Sequence, residues 1–349
     1  MRRCGIETSA FVATILIVVL ALFFDFSNGF NDAANVVATI IVTGALSPVK
    51  ALAIASICEF TGPFLFGTAV AKTIGKGIVD PSTFSPEAKV LSAGLIGATL
   101  IGAIAWNLIM WRVALPTSSS HALVGALVGA VVAAHGFNKV IWTGVLFVFA
   151  SLVVSPMIGL VFGWLFFRFT RLLAEKSKAS PRVAPFFDRI QVVSAMCLAL
   201  SHGANDAQKG MGIITMSLVV MGALSSFTIP FWVIVSCASA MAAGTATGGW
   251  RIIKTVGAKI CRLRSMHAFC SQTASAAVIL PAALLGGPVS TTHVVSSSIM
   301  GVASGQRVSA VRWSVAADIV TAWFITIPGS AILSATLFLM IIKTMHVFS

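Results

Sequence analysis

The sequence predicts an all-α polytopic membrane protein made of two inverted repeats with broken or re-entrant helices, about 10 to 12 membrane segments in all. Three observations predict it. Of 349 residues, 58% are hydrophobic and 9% charged, and mean hydropathy is +0.99, which is more apolar surface than a water-soluble globule can hide. Long apolar runs recur from Phe11 to Ile342 with short polar interruptions. Two motifs return in the same order: FNDAAN (30 to 35) as ANDAQK (204 to 209), an offset of 206 − 32 = 174, and PTSSSH (116 to 121) as PVSTTH (288 to 293), an offset of 293 − 121 = 172.

The first apolar segment runs from Ala10 to Thr43. Thirty-four residues make about 51 Å of helix, against about 30 Å of hydrocarbon. The segment is therefore expected to break at its polar stretch, SNGFNDAAN (27 to 35). The opening MRRCGIETSAFVATILIVVLALFF has the look of a signal peptide, but no A-x-A-like cleavage site follows, and it is read as the first membrane segment. Further segments lie near 47 to 71, 90 to 114, 116 to 135 and 140 to 168, then 192 to 220, 224 to 250, 266 to 286, 288 to 304 and 313 to 343. The stretch 168 to 189 divides the two sets, with six basic residues against Glu175 and Asp188, and with Pro181 and Pro185. This gives a first transmembrane repeat over 1–168, a basic linker over 169–191 and a second repeat over 192–349.

The net charge of +13 does not point to nucleic acid, because 11 of the 23 Lys and Arg fall in 168 to 189 and 251 to 264, between apolar runs. Such clusters mark cytoplasmic loops of a cell (inner) membrane protein. KTIG (72 to 75) echoes KTVG (254 to 257) at an offset of 182. The loop 251 to 264 has five basic and no acidic residues, whereas 72 to 89 has three basic residues against Asp80 and Glu87, as if the two lay on opposite sides. Five crossings per half then put both termini outside, although Arg2 and Arg3 run against that bias. The six cysteines show no CxxC spacing and are read as small buried residues, not as a disulfide framework or metal cluster.

Ionisable groups inside a membrane are costly and mark ion or substrate sites. Asp25, Asp32, Asp206, Glu59 and Asp318 fall in apolar context. Asp32 and Asp206 occupy repeat-related places beside Asn31 and Asn205, and their hard oxygens, with those of Asn28 and Asn35, suit a small cation such as Na⁺. PTSSSH and PVSTTH ask for the opposite charge. A proline, a hydroxyl block and then an apolar run form a helix start, where caps and unpaired N–H groups make an oxyanion site. Ser118, Ser119 and Ser120 with Ser290, Thr291 and Thr292 are the candidate anion ligands; the bland alternative is small-residue packing between helices. His121 and His293, directly after these blocks, are read as orienting the hydroxyls or donating to the anion. A Ser–His hydrolase is disfavoured because adjacent helical residues do not face one another. The roles of His202 and Lys209 stay open, Lys209 either neutralising anion charge or snorkelling.

GFNDAANVVAT (29 to 39), SHGANDAQKGMGIIT (201 to 215), PTSSSH and GGPVSTTH resemble the signatures of the inorganic phosphate transporter (PiT) family, and the similarity runs through nearly the whole chain. It implies a secondary transporter, not an enzyme, with inverted repeats, no cofactor and often a homodimer, moving phosphate with Na⁺ or H⁺ in a bacterial or archaeal lipid bilayer. It places Asp25, Asn31, Asp32, Asn205 and Asp206 at the cation and phosphate centre and the six hydroxyls on the anion. Sulfate and metal-phosphate transport occur among bacterial relatives. One departure is AFCSQT, with Gln272 where the glutamate of GFxAET is expected, which removes the charge that a coupling role at that site would use and leaves Gln272 a supporting residue. Monohydrogen phosphate has a proton to give a buried carboxylate and sulfate has none, which favours phosphate. A channel also tolerates broken helices and is the alternative from another class.

The loop charges generate a topology prediction: in a cysteine-free background, a cysteine placed at Asp80 reacts with an impermeant thiol reagent added outside and one placed at Lys178 does not. Equal labelling of both would break the inverted-repeat arrangement.

Overall fold

The computed structural model describes residues 2–79, 89–176 and 183–347, with side chains described over 11–79, 89–176 and 185–344; positions 80 and 178 lie outside the described residues. The described residues contain helices and connecting turns with no strand. The helices are α1 (Arg2–Val42), α2 (Pro48–Phe66), α3 (Ala69–Gly77), α4 (Lys89–Arg112), α5 (Ser119–His135), α6 (Trp142–Lys176), α7 (Val183–Asp206), α8 (Gln208–Val220), α9 (Phe231–Thr247), α10 (Trp250–Lys254), α11 (Ser265–Leu284), α12 (Thr291–Gln306) and α13 (Trp313–Val347). Among the described residues, α2, α4, α6 and α11 and the stretches Phe11–Val42 and Trp313–Thr344 are long and apolar enough to cross a membrane. A seventh crossing forms if α9 and the following Trp250–Lys259, bent by 60°, count as one. The chain is a multi-pass membrane protein.

The expected break in the first segment is absent: α1 runs unbroken through SNGFNDAAN. The reason lies in the spacing. Asp25, Asn28, Asp32, Asn35 and Thr39 recur every three or four residues, so all five fall on one stripe of the helix, and all are buried. A continuous helix satisfies its own backbone and turns only this stripe inward, which removes the need for a break. The second motif does interrupt its helix, at Ala207 between α7 and α8. There the carbonyl of Ala204 accepts from the side chain of Gln208 at 2.5 Å. The same amide donates to the carbonyl of Gly67 at 2.8 Å and accepts from the N–H of Ala71 at 3.0 Å, tying the start of α3 to the break.

The loop expected between the repeats is mostly helix, because α6 continues to Lys176 and α7 begins at Val183. Past the apolar part of α6, Arg171 pairs with Glu175 one turn on at 2.7 Å, a contact that supports an exposed helix.

The halves interlock. α13 lies against α5, and α6 against α12. Glycines set these crossings: a Cβ on Gly129 of α5 would overlap the main chain of Ala331, and one on Gly301 of α12 would overlap the main chain of Leu160. The same holds for α1 and α7, where a Cβ on Gly29 would strike the main chain of Met241 and one on Gly203 that of Glu59. Each contact has a partner at the repeat offset, since 129 + 172 = 301 and 29 + 174 = 203.

Among the described residues the two larger apolar cores lie on either side of α1's polar stretch, beside a small third one around Phe167, Cys270 and Val302. One gathers the first half of α1 (Ile17, Ala21, Phe24) with α3, α4, α5 and α8, and the other gathers Ala33 to Ile40 with α2, α7, α11 and α12. The polar residues 25 to 32 of α1 sit at the seam. Basic residues sit at both ends of the molecule. At one end Arg251 donates to the carbonyl of Arg112 at 2.9 Å and covers the Trp111 ring, and Ser265 donates to Asp188, so both basic stretches meet there. α4 leads from this end to the other, where Lys89 donates to the carbonyl of Met221 at 2.9 Å and Lys76 lies over Phe227.

Gly129→Val and Gly301→Val are expected to destabilise the fold by about 1 to 3 kcal/mol or more each, because the side chain meets facing backbone, which cannot move aside. Gly97→Ala, where a Cβ meets nothing within 4 Å, should be neutral or stabilising. Thermal unfolding of the three variants in detergent, followed by size-exclusion chromatography, reads the difference.

Candidate functional site

Each hydroxyl block begins a helix buried in the protein. Ser118 caps α5 by accepting from the N–H of His121 at 3.2 Å, and Ser290 caps α12 by accepting from the N–H of His293, also at 3.2 Å. Proline two residues earlier in each motif stops any helix from entering the cap. The caps leave the next hydroxyls aimed at the seam, with the positive ends of both helix dipoles behind them.

There they meet the aspartates. Asp32 Oδ1 accepts from Thr292 Oγ1 at 2.9 Å and from Asn35 Nδ2 at 3.0 Å, and its Oδ2 accepts from Ser119 Oγ at 3.4 Å. Asn35 Nδ2 also donates to Thr292 Oγ1 at 3.0 Å. Asp206 Oδ2 accepts from Thr291 Oγ1 at 3.0 Å and pairs with Lys209 Nζ at 2.9 Å; Lys209 donates as well to Ser119 Oγ at 2.7 Å. The motif pairs separated by more than 80 residues thus form one cluster, in which hydroxyls from α5 and α12 both reach the Asp32 carboxylate. Ser120 Oγ points instead to the carbonyl of Val289 at 3.4 Å, just ahead of the other block.

His202 joins the cluster from below. Its Nδ1 lies 2.8 Å from Glu59 Oε1 and its Nε2 3.4 Å from Asp206 Oδ2, and Thr245 donates to the other oxygen of Glu59. One ligand atom each of Asp32, His202 and Asp206 lies within 4.8 Å of the others. The sequence reading left His202 and Lys209 without a role. The signal that finds them is helical spacing, since His202, Asp206 and Lys209 fall four and three residues apart on one face of the second motif.

The donor set fits a small cation. The side-chain oxygens Asn28 Oδ1, Asn31 Oδ1, Asn35 Oδ1, Asn205 Oδ1 and Asp206 Oδ1 are buried with no hydrogen-bond partner. Carboxylate and carboxamide oxygens are the hard ligands such ions prefer. Asn28, Asn31, Asp32 and Ser119 share a small cavity with Asn107, Trp111, Pro116, Thr117 and Ile252, and Asn107 too is buried with both amide atoms unpartnered. Asp25 stands outside the converging trio. It is fully buried, with its carboxylate over Gly210 and beside Cys237.

Asp318 lies on the exposed side of α13 near its start; at a helix end the carboxylate reaches the polar margin and needs no ligand role. His121 and His293 reach the hydroxyls through their main-chain N–H groups. Their rings meet at a tilt of 33° with centroids 4.5 Å apart, His293 stacks on Trp323 at 3.9 Å, and both line an apolar cavity of about 580 Å³ between α6 and α13. Gln272 accepts from Ser194 at 2.5 Å and donates to Thr39 at 2.8 Å, a neutral bridge joining α11, α7 and α1.

The chain is similar to known proteins over most of its length. The model of the phosphate transporter family matches residues 28–334. A probable low-affinity inorganic phosphate transporter of Rhizobium meliloti is 44% identical over 337 residues, covering 94% of this chain and 96% of the relative. One of Bacillus subtilis is 44% identical over 325 residues, covering 93% and 96%. A putative phosphate permease of Pyrococcus horikoshii is 31% identical over 393 residues, covering 93% and 96%. A solved structure titled the sodium-dependent phosphate transporter superposes with a TM-score of 0.84 at 26% identity, covering 95% of this chain and 99% of that one. With the family model spanning most of the chain and the relatives aligned nearly end to end, the chain belongs to the phosphate transporter family and is a transporter, not an enzyme.

Proposed function

We propose that the protein imports inorganic phosphate by alternating access, driven by a cation, Na⁺ or H⁺, that moves with it. The observation that carries this reading is the direct bonding of two hydroxyl-bearing helix starts to a pair of buried aspartates. Anion donors and cation ligands share atoms there, so filling one site changes the other. Thr292 Oγ1, for instance, donates to Asp32; when it turns to an anion, the carboxylate loses a donor and gains room for a cation. Coupling needs such a differential interaction between the two cargoes.

The chain supplies the parts by residue. Ser118, Ser119 and Ser120 with Ser290, Thr291 and Thr292, helped by Asn31 and Asn205, hold phosphate at the two helix starts. Asp32 with Asn28, Asn35 and Asp25 supplies oxygens to the cation, and Asp206 is the repeat-related acid that faces it across the seam. Glu59 and His202 position Asp206 from behind. The paired glycine contacts support an inverted repeat, and the meeting of both basic stretches at one end of the molecule supports placing the central linker in the cytoplasm of a cell that imports across its inner membrane. The sodium-dependent transporter that superposes on this chain puts Na⁺ among the ions to test.

Counterflow in proteoliposomes tests the function: unlabelled phosphate inside should accelerate entry of labelled phosphate, which neither a channel nor a hydrolase does. Sulfate inside should accelerate it far less. Asp32→Asn and Asp206→Asn are each expected to abolish cation-driven uptake, and the site assignment fails if both variants insert normally and keep full uptake. Ser119→Ala and Thr291→Val each remove one donor, worth about 1 to 3 kcal/mol, so the phosphate concentration for half-maximal uptake should rise roughly 5- to 150-fold. An unchanged half-maximal concentration in the folded double variant would make the hydroxyls packing residues.

A further inference from the structure

The two motifs that meet at the seam are repeat-related but not equal in charge. At an offset of 174, Lys209 takes the place of Asn35. Both donate to the aspartate three residues before them, Asn35 Nδ2 to Asp32 at 3.0 Å and Lys209 Nζ to Asp206 at 2.9 Å. Both also reach a hydroxyl on a facing helix start, Asn35 that of Thr292 and Lys209 that of Ser119. Asp32 is therefore bonded only by neutral donors, and Asp206 carries an ammonium on its Oδ2. Lys209 is 1% exposed and among the largest fully buried side chains in the protein.

We propose that the Lys209 ammonium is a tethered cation that permanently fills the second-half cation position, so that of the two repeat-related aspartates only Asp32 takes an ion that travels with phosphate. The proposal rests on the transport reading above.

A compact ammonium with three donors presents to carboxylate and hydroxyl oxygens the same positive charge that a bound monovalent ion would. Its place is held by both ends. Asp206 balances the charge, Ser119 takes a second N–H, and the buried stem leaves no water to solvate an unpaired head. Breaking such a pair by removing one partner is costly, so the ammonium does not leave during a transport cycle. A cation fixed to the chain is present at any external ion concentration and adds no charge to the cargo. The first half has no such group: Asn35 leaves the Asp32 charge without a cationic partner among its hydrogen bonds, and the buried oxygen Asn35 Oδ1 has no partner. The motif pair thus gives one exchangeable cation per phosphate in place of two.

The test is the number of cations moved per phosphate, read in proteoliposomes holding the full chain as the phosphate gradient that just nulls net flux against a set gradient of the driving cation, with the membrane potential clamped at zero. This ratio does not depend on rate, so a slow but folded variant still reports it. Lys209→Asn reproduces the first-half motif, and the ratio should rise by one, with a steeper dependence of initial rate on cation concentration. Asp206→Asn alone strands the buried Lys209 ammonium and stops uptake, whereas Asp206→Asn combined with Lys209→Asn removes both charges, leaves no unpaired ion, and should restore uptake at the wild-type ratio. The proposal is overturned if Lys209→Asn keeps the wild-type ratio, if the folded double variant fails to transport, or if it moves one cation fewer. If Lys209→Asn cannot be isolated folded, the double variant decides alone. Absence of phosphate counterflow in the wild type would instead overturn the transport reading and this proposal with it.

Discussion

A carboxylate buried away from water must be given donors or a counter-ion, and two of them in one seam set the terms for everything around them. Asp32 and Asp206 are held by Thr292, Asn35 and Ser119, and by Thr291, Lys209 and His202. To deliver these groups, two helices must begin inside the protein, their first hydroxyls spent on caps and the next ones turned to the acids. For the helices to begin there, their neighbours must come within backbone contact, which only glycine permits. Gly129, Gly301, Gly29 and Gly203 are thus consequences of the same electrostatic demand.

In the proposed transport, affinity for an anion and for a cation is built from one set of atoms. A threonine hydroxyl both donates and accepts. Thr292 accepts from Asn35 while donating to Asp32, and Ser119 accepts from Lys209 while donating to Asp32. Reversal of one such hydroxyl shifts the balance on the carboxylate behind it. Lysine or asparagine at equivalent places then decides whether positive charge is built in or borrowed from the medium.

Much of this was legible in the sequence, and the failures are instructive. The hydroxyl starts and the aspartate pair were readable because a duplicated motif filters out chance. The continuity of α1 was missed by weighing polarity above spacing: 25, 28, 32, 35 and 39 form a helical stripe that a break would have scattered. The linker was taken for a loop from its charge, yet exposed charge is compatible with helix ends, as Arg171 and Glu175 demonstrate. Asp318 was misplaced because hydropathy carries no information about depth or facing direction. The positions of His202 and Lys209 beside Asp206 were within reach of a spacing argument, but the link from His202 to Glu59 depends on the crossing of α7 with α2, which no local pattern encodes.

The crossing of α13 over α5 bears on how the protein is made. α5 carries the first hydroxyl start, yet the element lying across it is α13, which leaves the ribosome long after it, and a Cβ on Gly129 would meet that helix's backbone at Ala331. Inserted in order, the earlier helices must wait in the bilayer with one face of α5 uncovered until α13 arrives, because α6 leans on α12. Neither half is a finished unit. A chain that stalls before α13 would expose the polar start of α5 to lipid, a lesion that membrane quality control can recognise, so the interlock makes completion of synthesis a condition for an assembled site.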